Sequence, residues 1–365
     1  MGARLADGPE ERYHGDATDA TVHNPVRRAI RRANAKHIPL TCILEVTPRC
    51  NANCYFCLRD PKDRAHFREE LSTDDILRVL NELADLGCFF LGVTGGEPLS
   101  RPDLYVILHE ARRLGFAVEL TTNAQLLSEV WIDRLTNLHL ENVMISFHSI
   151  DEHAYNNMFG NSGMFQRTLR NVLALRECGN HVTINVVLTR ENAGGFQRLK
   201  TFFCEQGFPP NTIGANPVHP RVSGDATPVQ FLPESSVVEQ VYRENPEFLA
   251  LARDEGAPLA CVAGRSLLAV DFRGDVHACT LLSWPVGNVR SASLAQIWHE
   301  ATLFRMLRML GERGYEKCRT CPAHRECAAC IAQNFMETGS LWDPGPTQCN
   351  AGHLMHQIGE EMRRG

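Results

Sequence analysis

No apolar run in the 365 residues approaches the roughly 20 needed to cross a bilayer as a helix. The N-terminal stretch is too charged for a secretory signal. Positive charge is not in excess either: 37 Lys and Arg stand against 43 Asp and Glu, a net charge of -6. That balance argues against nucleic acid or an anionic membrane as the main partner. No internal repeat and no low-complexity tract is present, so a solenoid or a disordered array is not expected. A cytoplasmic protein is expected. In that reducing compartment the 14 cysteines serve as metal ligands or free thiols rather than disulfides.

What is there fits roughly two globular domains, with 44% hydrophobic and 22% charged residues. Residues 1–36 are polar, carry Gly8 and Gly15, and read as a mobile tail; within it 26–32 can form a short basic helix, a solvated lead-in rather than a dock for an acidic peptide. From Pro39 onward, β-rich runs at 40–47, 89–94, 117–122, 143–146, 182–188 and 212–216 alternate with helical patterns at 73–86, 103–114, 129–136, 164–177 and 195–206. This order predicts βα units around a parallel sheet. The first helix carries its own punctuation: Ser72 as cap with Asp75 as its partner, Ile76, Leu80, Leu83 and Ala84 on one face, and Gly87 at the exit. Six units are too few for a closed eight-stranded barrel, so the fold class expected is α/β, a partial TIM-like (β/α)6 barrel. Its ligand-carrying residues should lie at the C-terminal ends of strands. Prolines at 209, 210, 217, 220, 228 and 233 end that domain, and a helical stretch at 234–253 follows. The expected division is a tail at 1–36, the barrel at 37–220, a bridge at 221–257 and a cysteine-rich domain at 258–365.

After the first strand comes Cys50-Asn51-Ala52-Asn53-Cys54-Tyr55-Phe56-Cys57. Three thiolates on one tight loop can converge on a single inorganic cluster, one short of the usual four cysteines, leaving an iron open for chemistry. A structural zinc site and three unrelated buried thiols are the alternatives. The second strand runs into Thr94-Gly95-Gly96-Glu97-Pro98, where paired glycines let the backbone approach a ligand and Glu97 offers a carboxylate to a cation. The third and fourth strands end in Thr121-Thr122-Asn123 and Ile145-Ser146-Phe147-His148. Near the C-terminus stand Cys261, Cys279, Cys318, Cys321, Cys327, Cys330 and Cys349. Seven thiolates make one complete four-cysteine site and one three-cysteine site that needs another fourth ligand or an open iron. A zinc site from Cys318, Cys321, Cys327 and Cys330 has acceptable spacing but leaves the other three unexplained. Cys42, Cys88, Cys178 and Cys204 read as small core residues, and His277, His324 and His353 as surface or core residues rather than ligands.

The CxxxCxxC loop, with its aromatic residue before the last cysteine, and the GGEP turn resemble the radical S-adenosylmethionine (SAM) enzymes. The C-terminal cysteines resemble the SPASM extension found on members that modify peptides and proteins. Together the resemblance covers roughly 40–355. It implies a 4Fe-4S cluster on Cys50, Cys54 and Cys57 whose open iron is chelated by SAM, which is cleaved reductively to a 5′-deoxyadenosyl radical that takes hydrogen from substrate. By the same resemblance Gly95, Gly96 and Glu97 bind the amino group of SAM, Phe56 lies near the adenine, and Asn123 and Ser146 contact its carboxylate and ribose. No role is carried onto His148, which stands where many relatives have Asp. Two auxiliary 4Fe-4S clusters are implied, the nearer on Cys261, Cys279 and Cys330, the other on Cys318, Cys321, Cys327 and Cys349. The last gap of the central run is two residues where the family usually has three, which leaves the division between Cys327 and Cys330 open. Thr280 stands where sulfatase-maturing relatives carry an Asp base, and a Thr cannot be that base at neutral pH.

What the resemblance implies about function is hydrogen abstraction from a ribosomally made precursor peptide, ending in a cross-link or related modification. A small-molecule dehydrogenase or epimerase acting on a sugar or antibiotic intermediate is the first alternative, a non-catalytic iron-sulfur or zinc scaffold the second. The 36-residue tail is too short for a fused leader-binding domain, so a separate leader-binding protein or direct docking is expected. The electron donor would be a flavodoxin or ferredoxin. No residue is assigned an acid or base role.

Overall fold

The computed structural model describes residues 25–251, 261–327 and 329–364. The tail at 1–24 and the junction at 252–260 lie outside them. Pro25–Lys36 forms helix α1, inside the stretch expected to be tail. Arg28, Arg31 and Arg32 are exposed while Ala33 is buried, and Ser266 Oγ donates to Asn34 Oδ1. The Trp298 indole N–H, 2.8 Å from the His37 carbonyl, fixes the exit. These contacts, 200 residues and more away in the chain, are what turn that stretch from tail into docked helix.

Six parallel strands follow, as the alternation predicts: β1 Thr41–Glu45, β2 Phe90–Thr94, β3 Ala117–Thr122, β4 Asn142–Ser146, β5 Val182–Leu188 and β6 Ile213–Pro217. Between them run α2 Thr73–Asp85, α3 Leu104–Arg113, α4 Glu129–Leu138, α5 Glu152–Phe159, α6 Phe165–Glu177 and α7 Phe196–Glu205. Helix α2 buries Ile76, Val79, Leu80 and Leu83, and its N-terminus is a reciprocal Ser72–Asp75 capping box. Helix α5 was not foreseen. Asp151 caps it by accepting from the Ala154 N–H at 2.8 Å, and Gly160 ends it in the left-handed region.

Beyond the barrel, α8 Ser235–Glu244 stops well short of the expected 253 because Asn245 leaves helical geometry ahead of Pro246. The C-terminal domain then enters the sheet itself. β7 Leu267–Val270 pairs in parallel with β1, placing Leu268 opposite Cys42, and β8 Asp275–His277 and β9 Gly287–Asn288 continue antiparallel. The sheet order is β6-β5-β4-β3-β2-β1-β7-β8-β9. Helices α9 Leu294–Glu300, α10 Thr302–Arg313, α11 Ile331–Thr338 and α12 Pro346–Arg364 complete the chain. Because β7 lies beside β1, the cysteine-rich domain is held directly against the strand that leads into the Cys50 loop. Among the described residues no helix is long and apolar enough to cross a membrane.

Candidate active site and cluster cavities

Strand β1 feeds the Cys50 loop through Thr47, Pro48 and Arg49, and the GGE turn after β2 closes onto that lead-in. Gly96 N–H donates to the Thr47 carbonyl and Glu97 N–H to the Arg49 carbonyl, both at 2.7 Å. A Cβ on Gly95, which sits at φ +147°, would lie 2.4 Å from the Thr47 oxygen; one on Gly96 would lie 2.3 Å from the Arg49 oxygen. The two glycines therefore allow backbone to meet backbone, a demand not legible from the motif alone. They also line, with Cys50 and Cys57, a small cavity of about 40 Å³.

Polar side chains pin the loop from the other side. Asn51 donates to Gln125 Oε1 at 2.9 Å, Asn123 Nδ2 donates to Asn51 Oδ1 at 2.9 Å and lies 4.0 Å from Cys50 Sγ, and Asn161 also donates to Gln125. Asn53 N–H donates to the Phe159 carbonyl at 2.7 Å, and Gly160 leaves room for the Asn53 carbonyl. Asn51, Gln125 and Asn161 were missed from sequence, since nothing local marks them as partners.

The remaining SAM candidates sit around this cavity rather than in its wall. Glu97 is fully buried: one carboxylate oxygen accepts from Thr122 Oγ1 at 2.6 Å and Leu99 N–H at 3.0 Å, the other from Asn123 N–H at 2.7 Å. Burial raises its pKa to about 7 against the pull of those bonds. It braces the end of β2 against the end of β3. Phe56 packs with Met158 and Val218 and meets His148 edge-on at 4.9 Å. His148 is buried, accepts from Val187 N–H at 3.2 Å, stacks on Phe159, and burial lowers its pKa to about 3, so it is a neutral packing residue. Ser146 is half-buried at the end of β4, in register with Asn185 of β5.

Burial pushes the loop thiols up: Cys50 to about 11, Cys54 further, Cys57 also upward. A second cavity, of about 370 Å³, shares Glu45, Arg59, Asp60, Asp63 and Phe272 with the first and extends to Asp271, His277, Cys279 and Thr280. Glu45, buried at the end of β1, is ion-paired with Arg59, two residues past Cys57. Asp271 lies 3.6 Å from His277 Nε2. Burial pushes its carboxyl up, but His277 and the N–H groups of Asp275 and Arg273 outweigh that and hold it below the usual range. None of Glu45, Arg59 or Asp271 belongs to a motif, and only the folded chain gathers them.

The later cysteines fall into two groups. Cys318, Cys321, Cys327 and Cys349 line one small cavity of about 30 Å³, with His353 Nε2 3.9 Å from Cys321 Sγ. A Cβ on Gly352 would meet Cys327 Sγ at 3.0 Å, so that glycine makes room for the thiol. Cys279 is lifted to about 12 by burial and then by the nearby Cys261 and Cys330, and Cys261 is raised by burial and by Cys330. Cys330 thus keeps company with Cys261 and Cys279, a division that does not match a zinc site on Cys318, Cys321, Cys327 and Cys330. Among the described residues no three His, Cys, Asp or Glu side chains close tightly enough for a single metal ion. Soft thiol donors in sets of three and four, around cavities, are the donor chemistry that iron-sulfur clusters take.

A parallel partial barrel with three such thiols after its first strand defines a class of cluster-dependent enzyme, and comparison with known proteins gives the family. Residues 44–203 match the model of the radical SAM superfamily and residues 261–322 that of the SPASM iron-sulfur cluster-binding domain. The chain belongs to the radical SAM superfamily and carries a SPASM domain. Among characterised proteins it is similar to AdoMet-dependent heme synthase of Methanosarcina barkeri (strain Fusaro / DSM 804), 27% identical over 337 residues, 83% of this chain and 94% of the relative. Its fold is similar to that of Streptococcus suis SuiB bound to precursor peptide SuiA, with TM-score 0.68, 18% identity and 92% and 84% of the two chains covered. It is also similar to anSMEcpe with bound AdoMet, with TM-score 0.71, 14% identity and 89% and 94% covered.

Proposed function

We propose that this radical SAM enzyme takes hydrogen from a ribosomally made precursor peptide and leaves a cross-link or related modification. The observation that carries the proposal is the open cavity of about 370 Å³ running from the Cys50 loop side, at Glu45 and Arg59, to Cys279. It is large enough for a side chain and its flanking backbone, and its polar wall suits amide groups better than a purely apolar ligand. Precursor peptide is also what SuiB is bound to in its complex. When bound, a 4Fe-4S cluster and SAM supply a one-electron cleavage that yields a 5′-deoxyadenosyl radical.

The chain's own residues do the rest. Cys50, Cys54 and Cys57 would hold the SAM cluster, Cys261, Cys279 and Cys330 the nearer auxiliary cluster, and Cys318, Cys321, Cys327 and Cys349 the farther one. Gly95 and Gly96 would offer backbone to the methionine end of SAM, while Glu97 keeps the two strand ends in place beneath it; Phe56 would lie near the adenine, and Asn123 and Ser146 would contact the carboxylate and ribose. The Glu45–Arg59 pair closes the foot of the Cys50 loop and forms a wall shared by the two cavities. Asp271 and His277 present an acceptor and a ring nitrogen to whatever enters. Flavodoxin or ferredoxin would deliver the electron, and a separate protein would bind the leader.

A small-molecule substrate is the second reading, favoured by the likeness to a heme synthase over most of both chains. Mass spectrometry of a neighbouring precursor peptide co-expressed with the enzyme decides between them. A loss of two hydrogens, or deuterium gained from solvent, is expected. An unchanged peptide, with turnover of a small molecule instead, would reject the peptide assignment.

A further inference from the structure

Cys261, Cys279 and Cys330 supply three thiols where a four-donor cluster needs one ligand more. Cys261 takes a hydrogen bond from the N–H of Ile331, the residue after Cys330. Cys279 stands just past β8, where Val276 and Ala278 are buried in the core while His277 and Cys279 both line the second cavity. Alternation along the strand thus puts the imidazole on the same side as the thiol.

The surroundings of His277 engage one ring nitrogen and leave the other idle. Asp271 Oδ1 accepts the N–H groups of Arg273 and Asp275, both at 2.9 Å, which fixes the carboxylate, and Oδ2 faces His277 Nε2 at 3.6 Å. A carboxylate in that place favours the tautomer with its proton on Nε2, so the Nδ1 lone pair is available. His277 Nδ1 is buried and has no hydrogen-bond partner among the described residues. A buried acceptor in that state is costly unless a bound group takes it. Glu45 is held by Arg59, and Asp275 accepts from Asn288 Nδ2 at 2.8 Å, so neither carboxylate competes for the position.

We propose that His277, through Nδ1, is the fourth ligand of the nearer auxiliary cluster, with Asp271 as the carboxylate that orients it. The inference rests on the reading that Cys261, Cys279 and Cys330 hold that cluster. Neutral imidazole is an iron donor alongside thiolates, and a ligating histidine gives its other N–H to a carboxylate, which sets the ring's tautomer and direction. A full ligand set leaves no iron of this cluster on which substrate could bind. Substrate then meets the wall of the cavity and not the metal.

The test is pulsed electron paramagnetic resonance of the reduced, cluster-loaded full chain, prepared with ordinary and with isotope-labelled histidine. Wild type should show a nitrogen coupling of directly bound size that changes with the label. In His277→Cys, at about twelve irons per chain, that coupling should vanish and the midpoint potential of one cluster should fall, because a thiolate replaces a neutral ring. His353→Ala should leave the coupling in place, which separates it from the histidine 3.9 Å from Cys321. If His277→Cys loads clusters poorly, His277→Ala and the label comparison in the wild type carry the same readout. A wild type with full iron and no directly bound nitrogen, or a coupling that survives in His277→Ala, overturns the assignment and leaves the cluster in place. Cys279→Ala that retains about twelve irons overturns the cluster reading itself.

Discussion

Gly96→Ala is expected to cut 5′-deoxyadenosine formation by about 100-fold or more, whatever the substrate proves to be. The added methyl would lie 2.3 Å from the Arg49 oxygen, 2.7 Å from the Pro48 oxygen and 2.8 Å from the Arg49 carbonyl carbon. These are backbone atoms of the segment that leads into Cys50, so no rotamer change relieves them. Either the GGE turn or the cysteine loop must move, and overpacking of this kind costs on the order of 1–3 kcal/mol even where the backbone yields. The hydrogen bonds from Gly96 and Glu97 to Thr47 and Arg49 would lengthen with it. Gly92→Ala on the same strand is the control, since its nearest neighbour would be 3.9 Å away. Iron content and nucleoside release, measured side by side, should fall for Gly96→Ala and change little for Gly92→Ala.

The second large effect concerns the auxiliary sites. With three clusters, iron should approach about twelve per chain. Cys327→Ala and Cys330→Ala should each lower it toward about eight, because one thiol lines the cavity of Cys318, Cys321 and Cys349 while the other lies with Cys261 and Cys279. The double variant discriminates. If the two cysteines serve different clusters, iron should fall to about four; a double variant that still holds about eight would place both in one site.

Much of the barrel was readable because its signals are local. The Ser72 cap, the spacing of Ile76, Leu80 and Leu83, and Gly87 at the exit mark α2 without reference to anything else. The runs at 117–122 and 182–188 coincide with β3 and β5 as formed. Sequence reading failed where partners lie far apart in the chain. Nothing near Leu267 announces that it will pair with Thr41, and nothing near Asn34 announces Ser266. The GGEP motif was legible as a turn, but the use made of Glu97, a buried brace to Thr122 and Asn123, depends on β3 lying alongside. Arg59, Arg64 and Asp271 are ordinary charged residues until the fold brings them to one pair of cavities.

The account stands on the loop after β1. Cys50, Cys54 and Cys57 replaced together by alanine, followed by anaerobic reconstitution with iron and sulfide, reduction, and addition of SAM, should leave about eight irons per chain and no 5′-deoxyadenosine above background. Nucleoside release at the wild-type rate from that variant would contradict it.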